Sequence, residues 1–167
     1  GILTLTGAST IADAWRTIIP GYASGQKIAI KVNFNNMPDA AACNAETGEI
    51  NSLIEPINTI IAGLVEMGVA EGDIWIYDAM RRIPDFFVNR CAFSQVRFFD
   101  KYGGCSRREV AGWGSEVVLF SGGISSMQHL ANPLVNAAYL INVPIMKPHH
   151  CNGVTLSFKN HYGTIDN

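Results

Sequence analysis

The sequence is poor in charge. Only 16% of its 167 residues are Asp, Glu, Lys or Arg, against about 25% in an average soluble domain. The formal net charge is −2, which removes the electrostatic case for a nucleic-acid partner, since phosphate backbones call for a basic face. No apolar run reaches the roughly 20 residues of a transmembrane helix, so no transmembrane segment is expected. No basic leader stands before the first apolar stretch. The four cysteines, Cys43, Cys91, Cys105 and Cys151, are far apart and form no C-x-x-C pair. Zinc-ribbon and iron–sulfur spacings are therefore missing. Their even number permits two disulfides, as in an exported protein; the plainer reading makes most of them buried thiols. The glycine pairs of "YGGCS" and "FSGGISS" match neither dinucleotide-binding nor P-loop spacing and read as turns. Cys105, with Arg107 and Arg108 nearby, reads as an inert thiol before an activated one.

What is present is a globular composition, 48% hydrophobic, in a chain of ordinary single-domain length. "ILTL" reads as a short strand. "STIADAWRTII" has a Ser/Thr cap and apolar residues Ile11, Ala14, Trp15 and Ile18 at helical spacing, with Pro20 as its stop. "KIAIKVNF" is a β-branched strand and "NNMPDAAACNAETGE", residues 35 to 49, a long polar loop. Residues 52–67 predict a helix with Pro56 in its first turn and Gly68 near its C-cap. "DIWIYDA", "VRFFD" and "EVVLF" predict strands, and Pro84 opens a short helix over "PDFFVNRCAF". Residues 121–133 read as loop or short helix. "AAYLINVPI" is a strand whose unbroken apolarity suits a sheet buried on both faces. The alternation predicts an α/β fold: a mostly parallel sheet with helices on both faces, Rossmann-like and three-layered, over residues 1–167 as a single domain. Both termini read as cut, which suggests a piece of a longer domain or a processed chain.

Ligands of such sheets bind beyond the carboxyl ends of the strands. Those ends carry Asn33, Asn35 and Asn36, then Asp78 with Arg81 and Arg82, then Asp100, then Lys147, His149 and His150. Three of the four histidines and two of the five lysines lie in "IMKPHHCNGVTLSFKNHYG", residues 145–163. The scarce basic side chains are thus gathered behind one strand, where this architecture builds sites.

That last block resembles the family called domain of unknown function 362. The match rests on a strand of the type L-I-N-V-P followed by Lys147, His149, Gly153, Val154, Thr155, Lys159, Asn160 and Gly163. Lys31, Asn33 and Asn35 supply a second motif, K-x-N-F-N. The resemblance covers most of the chain and is weak over residues 85 to 130. It implies little about activity. Some family members carry twin-arginine export leaders, and others carry a ferredoxin-like domain with four-cysteine clusters; this sequence shows neither. Members also continue with a further α/β segment, so association with that C-terminal part, or a homo-oligomer, is expected. A looser likeness of fold to the nickel-pincer lactate racemases, where Lys and His hold a cofactor, is an analogy only.

Three chemistries compete at the strand ends. Lys31, Lys147 and Lys159 suit an anion, with Asn33, Asn35 and Asn160 to orient its oxygens and Gly153 in a segment able to offer backbone N–H groups. The plain alternative makes the lysines surface residues. His149 or His150 with His161 and Asp78 or Asp100, or with Cys151, would make a transition-metal site. Here the plain alternative is an exposed His150 and a His161 that caps or packs. Asp78 and Asp100 could serve as acid and base, or only cap helices.

The reading taken forward is an enzyme or cofactor-binding domain for a small anionic molecule. Lys31, Asn33, Asn35, Lys147, Asn160 and Gly153 would bind it, and His149, Asp78 and Lys159 would act on it. Any cofactor is unknown, a transition metal on His149 and His161 being the candidate. A non-catalytic binding or structural protein, whose last block is a packing motif, is the alternative; part of an iron–sulfur redox protein is a third. Full exposure of Lys147 and Lys159 would favour the non-catalytic reading. An extracytoplasmic location after export is slightly favoured over a cytoplasmic one.

Overall fold

A computed structural model gives the architecture and describes residues 1–118, 128–149 and 153–166. An interior strand of the sheet is β1 (Ile28–Lys31), all four residues of which are buried. Parallel to it on one side lie β2 (Ile74–Asp78), β3 (Arg97–Asp100) and β4 (Arg108–Val110). On the other side lies a strand formed much later in the chain, Tyr139–Asn142. The chain thus walks outward from β1 in one direction and returns to the opposite flank, which makes the gap between β1 and that late strand a topological switch point.

One face of the sheet is covered by α2 (Ile11–Ile18), α3 (Ile54–Met67) and α4 (Asp85–Asn89). Thr10 caps α2 by accepting from the Asp13 N–H at 3.1 Å, which satisfies an otherwise orphaned donor. In α3, Ile54, Ile57, Ile61 and Leu64 recur at helical spacing and are buried against Ile28, Ile30, Ile74, Ile76 and Phe98. Gly68 ends this helix in the left-handed region, φ 106°. Gly63 lets α2 and α3 touch: a Cβ there would lie 2.0 Å from the Trp15 Nε1.

The second face carries Ala29, Tyr77 and Phe99, packed against Ala111, Ala131 and Leu134. Its cover is an antiparallel pair, β5 (Trp113–Val118) and β6 (Gln128–Ala131), with α5 (Asn132–Val135) following directly. The late strand, Tyr139–Asn142, is β7. After it come the antiparallel β8 (Lys147–His149) and β9 (Gly153–Thr155), then α6 (Ser157–Asn160) and a 3-10 turn over His161–Thr164. Ile165 bridges back to Leu130 of β6. The fold is α/β with an all-parallel five-stranded sheet. Among the described residues no helix is long and apolar enough to cross a membrane.

Several expectations are corrected. "ILTL" is not a strand but a one-turn helix, α1 (Ile2–Thr6). Gly7, at φ 68°, closes the turn by donating to the Leu3 carbonyl at 2.8 Å, and among the described residues no strand pairs with this stretch. The apolar β7 is half-buried throughout, because it forms the edge of the sheet rather than its middle. The strand expected over "EVVLF" starts at Trp113 and belongs to the β5–β6 pair, not to the parallel sheet; Leu119 and Phe120 lie outside the described residues. Of the stretch 121–133, only Gln128 onward is described, as β6 and the start of α5.

The cysteines also depart from the buried-thiol reading. Cys43 and Cys105 form a disulfide, with their Cα atoms 5.9 Å apart and a sequence separation of 62. It joins the long loop after β1 to the β3–β4 connection. Arg82 braces the same junction, donating to the Ala41 carbonyl at 2.6 Å, the Gly103 carbonyl at 2.9 Å and the Cys105 Sγ at 2.7 Å. Cys105 is therefore not a free thiol, and the guanidinium at its sulfur is that of Arg82 rather than of Arg107 or Arg108. Cys91 is a half-buried free thiol; Cys151 lies outside the described residues. With two of four cysteines joined to each other, the chain's own thiols are too few for a four-cysteine cluster.

Candidate functional site

A cavity of about 290 Å³ opens at the carboxyl ends of β1, β2 and β7. Three stretches wall it. Lys31, Asn33 and Asn35 come from the end of β1; Asp78, Met80 and Arg81 from the end of β2; Lys147, Thr155, Lys159, Asn160, Tyr162 and Gly163 from the segment after β7. This is the crevice that the switch point creates.

Lys31 forms its floor. Only 1% of it is exposed, since β1 lies inside the sheet between β2 and β7, and Tyr77 of β2 stands beside it in register. The ammonium donates to the Val32 carbonyl and, at 3.5 Å, to Asn160 Oδ1. It forms an ion pair with Asp78 Oδ2 at 3.6 Å and stands 5.7 Å from the centre of the Tyr77 ring. Burial holds its pKa below the ordinary lysine value, against the attraction of Asp78. Asp78 is itself held by backbone: Oδ2 accepts from the Phe34 N–H at 2.8 Å and Oδ1 from the Met80 N–H at 3.1 Å.

Asn160 locks the last segment onto the sheet. Its Oδ1 accepts from Asn33 Nδ2 at 3.1 Å and from Lys31; its Nδ2 donates to the Lys31 carbonyl at 3.4 Å and to Asn142 Oδ1 at 2.8 Å. One side chain thereby joins β1, its following loop and β7. Gly163 finishes the closure, because a Cβ there would stand 2.8 Å from Lys31 Nζ and 3.3 Å from Asp78 Oδ1. The K-N-x-x-G spacing has a physical meaning: Asn160 binds the strand end, and one turn later Gly163 lets the backbone lie on the buried ion pair.

The other cations are less completely engaged. Lys147 donates to Asn36 Oδ1 at 2.6 Å. Burial keeps its pKa below the ordinary value, while Glu49 and Asp78 pull the other way. Lys159 stands 5.5 Å above the Tyr162 ring and has no carboxylate partner among the described residues. Arg81 donates to the Met80 carbonyl at 3.0 Å and reaches Asp39 only at 3.9 Å. Its Nε is buried without an acceptor among the described residues.

The structure therefore brings Lys31, Asn33, Asn35, Asp78, Lys147, Lys159 and Asn160 to one cavity. Neither Lys147 nor Lys159 is fully exposed. Gly153, at φ 72°, starts β9 opposite His149 and is not in the cavity wall. His149 has its backbone on β8, two residues past Lys147. His161 sits on the closing turn outside the wall, half-buried, its pKa lowered by burial and then by the charge of Lys31. His150 lies outside the described residues. Asp100 is no part of the site: its carboxylate accepts the N–H groups of Ile83, Tyr102 and Gly103 at 3.1, 2.9 and 2.6 Å and ties their loops together. Among the described residues no three His, Cys, Asp or Glu side chains gather as a metal would require. Met80 and Tyr162 have no signal in the sequence reading; Arg81 is marked there as a strand-end residue and Thr155 as part of the family motif, neither with a role in the site. The strand-end rule that marked Asp78 also reaches Arg81, three residues on.

A family model described as "Domain of unknown function (DUF362)" matches residues 28–167. No curated protein matches the chain, and no solved structure does. The matched span runs from the first residue of β1 to the end of the chain and includes every wall of the cavity, and the chain belongs to the domain of unknown function 362 family.

Proposed function

We propose that this domain binds a small anionic molecule in the cavity at the ends of β1, β2 and β7, as an enzyme or a cofactor-binding domain. The observation that carries the reading is the charge of the wall. Four cations, Lys31, Arg81, Lys147 and Lys159, face a single carboxylate, Asp78, which is already bound to Lys31. Half-buried cations whose counter-charges are distant or shared are costly, and an anion relieves that cost. Lys147 and Lys159 hold the ligand, and Asn33 and Asn35 orient its oxygens. Asp78 and His149 are the groups proposed to move protons, with Lys159 beside the reacting atoms.

A second reading has its own support. The four hydrogen bonds of Asn160 and the fit of Gly163 on Lys31 are what a packing motif would show. On that reading the last block closes the fold and the lysines are incidental. Thermal denaturation against a panel of small anions at fixed ionic strength separates the two. A ligand raises stability by RT ln(1 + [L]/Kd), about 2.7 kcal/mol at a hundred times Kd. Saturable stabilisation, lost in Lys147→Met and Lys159→Met, is expected. No saturable response to any anion would leave the packing reading alone.

A further inference from the structure

We infer that the ligand is a small phosphate monoester, its phosphoryl group held between Arg81, Lys147 and Lys159 and its organic part lying along Met80 and Tyr162. The inference rests on the anionic-ligand reading above and narrows it to one chemical class.

The first argument is the count of charges. Lys31 and Asp78 answer each other, which leaves three cations in the wall. A carboxylate cancels one charge and offers two oxygens in one plane. A phosphate monoester carries about two charges and presents three terminal oxygens in different directions. Three cations and three oxygens match.

The second argument is the direction from which the cations come. Arg81 follows β2, Lys147 opens β8 and Lys159 lies on α6. Three separate segments deliver them to one cavity, which suits a tetrahedral anion better than a flat one.

The third argument is the unused donor on Arg81. Its Nε–H is buried without an acceptor among the described residues, and a buried unpaired donor costs free energy until something accepts from it. The guanidinium fork matches phosphate oxygens in pairs. Asp39 does not meet this need. It stands 3.9 Å from Arg81 Nη1 and is shared with Lys101 and Tyr102, and the Tyr102 hydroxyl first, then Lys101, hold its carboxyl at a pKa of about 2.

The rest of the wall sets the size and character of the organic part. The cavity holds about ten water-sized volumes, at about 30 Å³ each. That is room for a phosphoryl group with a short carbon skeleton. Met80 and the Tyr162 ring give that skeleton apolar surface, and Thr155 and Asn35 stand at the wall to meet hydroxyl groups.

Isothermal titration of the whole chain tests this, with inorganic phosphate, glycerol phosphate and malonate as probes at neutral pH and equal ionic strength. Phosphate and glycerol phosphate are expected to saturate one site, the ester more tightly, with malonate weaker by about tenfold or more. Arg81→Gln should weaken both phosphates by about tenfold, the size of one charge-assisted contact, and Arg81→Lys should recover only part of that loss. Unchanged melting temperatures in both variants show that the fold is kept. Malonate binding as tightly as phosphate would overturn the phosphoryl assignment and leave the anion reading standing. Full phosphate affinity in Arg81→Gln would remove Arg81 from the site. No saturable binding of any of the three would overturn both readings.

Discussion

Lys31 Nζ and Asp78 Oδ2 stand 3.6 Å apart on adjacent strands, with 1% and 4% of their side chains exposed. The two halves of this pair are not equivalent. Asp78 keeps the Phe34 and Met80 N–H groups whatever happens to Lys31. Lys31 has Asp78 as its one charged partner among the described residues, besides two neutral acceptors.

Removing the carboxylate should therefore hurt more than removing the ammonium. Asp78→Ala leaves a buried cation unpaired and orphans two backbone donors, and is expected to cost about 3–5 kcal/mol in urea unfolding. Lys31→Met, similar in length and uncharged, should cost clearly less. Equal losses would mean that the backbone N–H groups do not sustain Asp78 alone.

Gly163→Ala tests the docking of the last segment. The added Cβ would lie 2.8 Å from Lys31 Nζ and 2.9 Å from Lys31 Cε. A lysine tip usually swings aside, but this one is boxed in by Val32, Asn160 and Asp78. Overpacking of this kind costs about 1–3 kcal/mol. Hydrogen exchange should show faster exchange at the Asn160 amide, which donates to the Leu156 carbonyl at 3.3 Å, while Ile76 in the sheet stays protected. Unchanged exchange at Asn160 would show that Gly163 is not a close-contact position.

The acid side of the stability curve should carry a mark of His161. Its folded pKa is lowered, by burial first and then by Lys31, from an ordinary value of 6.5. The unfolded chain then takes up the proton first as pH falls. Stability is expected to drop as pH goes down from 6.5 to the folded value, and to lose nothing further from this group below it. Unfolding midpoints measured across that range should show a shallower slope in His161→Gln. An identical slope in the variant would rule out His161 as its source.

The sequence and the structure agree where the pattern was long or chemically marked. The helix Ile54–Met67 was legible because its apolar spacing runs over fourteen residues and ends in a glycine. The strands at Ile28, Ile74 and Arg97 were legible from β-branched and aromatic runs. What went astray was short or set by tertiary context. Residues 2–6 form a helix because Gly7 closes the turn, a local effect too small to outweigh an apolar run by eye. β7 has the sequence of a central strand and the position of an edge strand, which only strand order reveals. The disulfide joins two loops 62 residues apart, and no spacing rule reaches that far.

The cavity was partly legible for a different reason. In a parallel sheet all the carboxyl ends point one way, so residues just past the strands meet whatever lies between them. That placed Asn33, Asp78 and Lys147 near one another before any geometry was known. It could not say which of them would be spent on structure. Asp100 sits at an equivalent strand end and is fully used by three backbone N–H groups. Asn160 reads as a ligand residue and is found holding three segments together.

The cavity's walls come from stretches far apart in sequence, from Lys31 to Gly163, and that sets which part of the domain completes it. All five sheet strands are complete by Asn142. Lys147, Lys159, Asn160 and Gly163 come after it. The stretch that carries them supplies half of the wall, and Asn160 and Gly163 are what cover Lys31 and Asp78. The sheet is thus the frame of the pocket, and the segment after β7 is the latch that closes it.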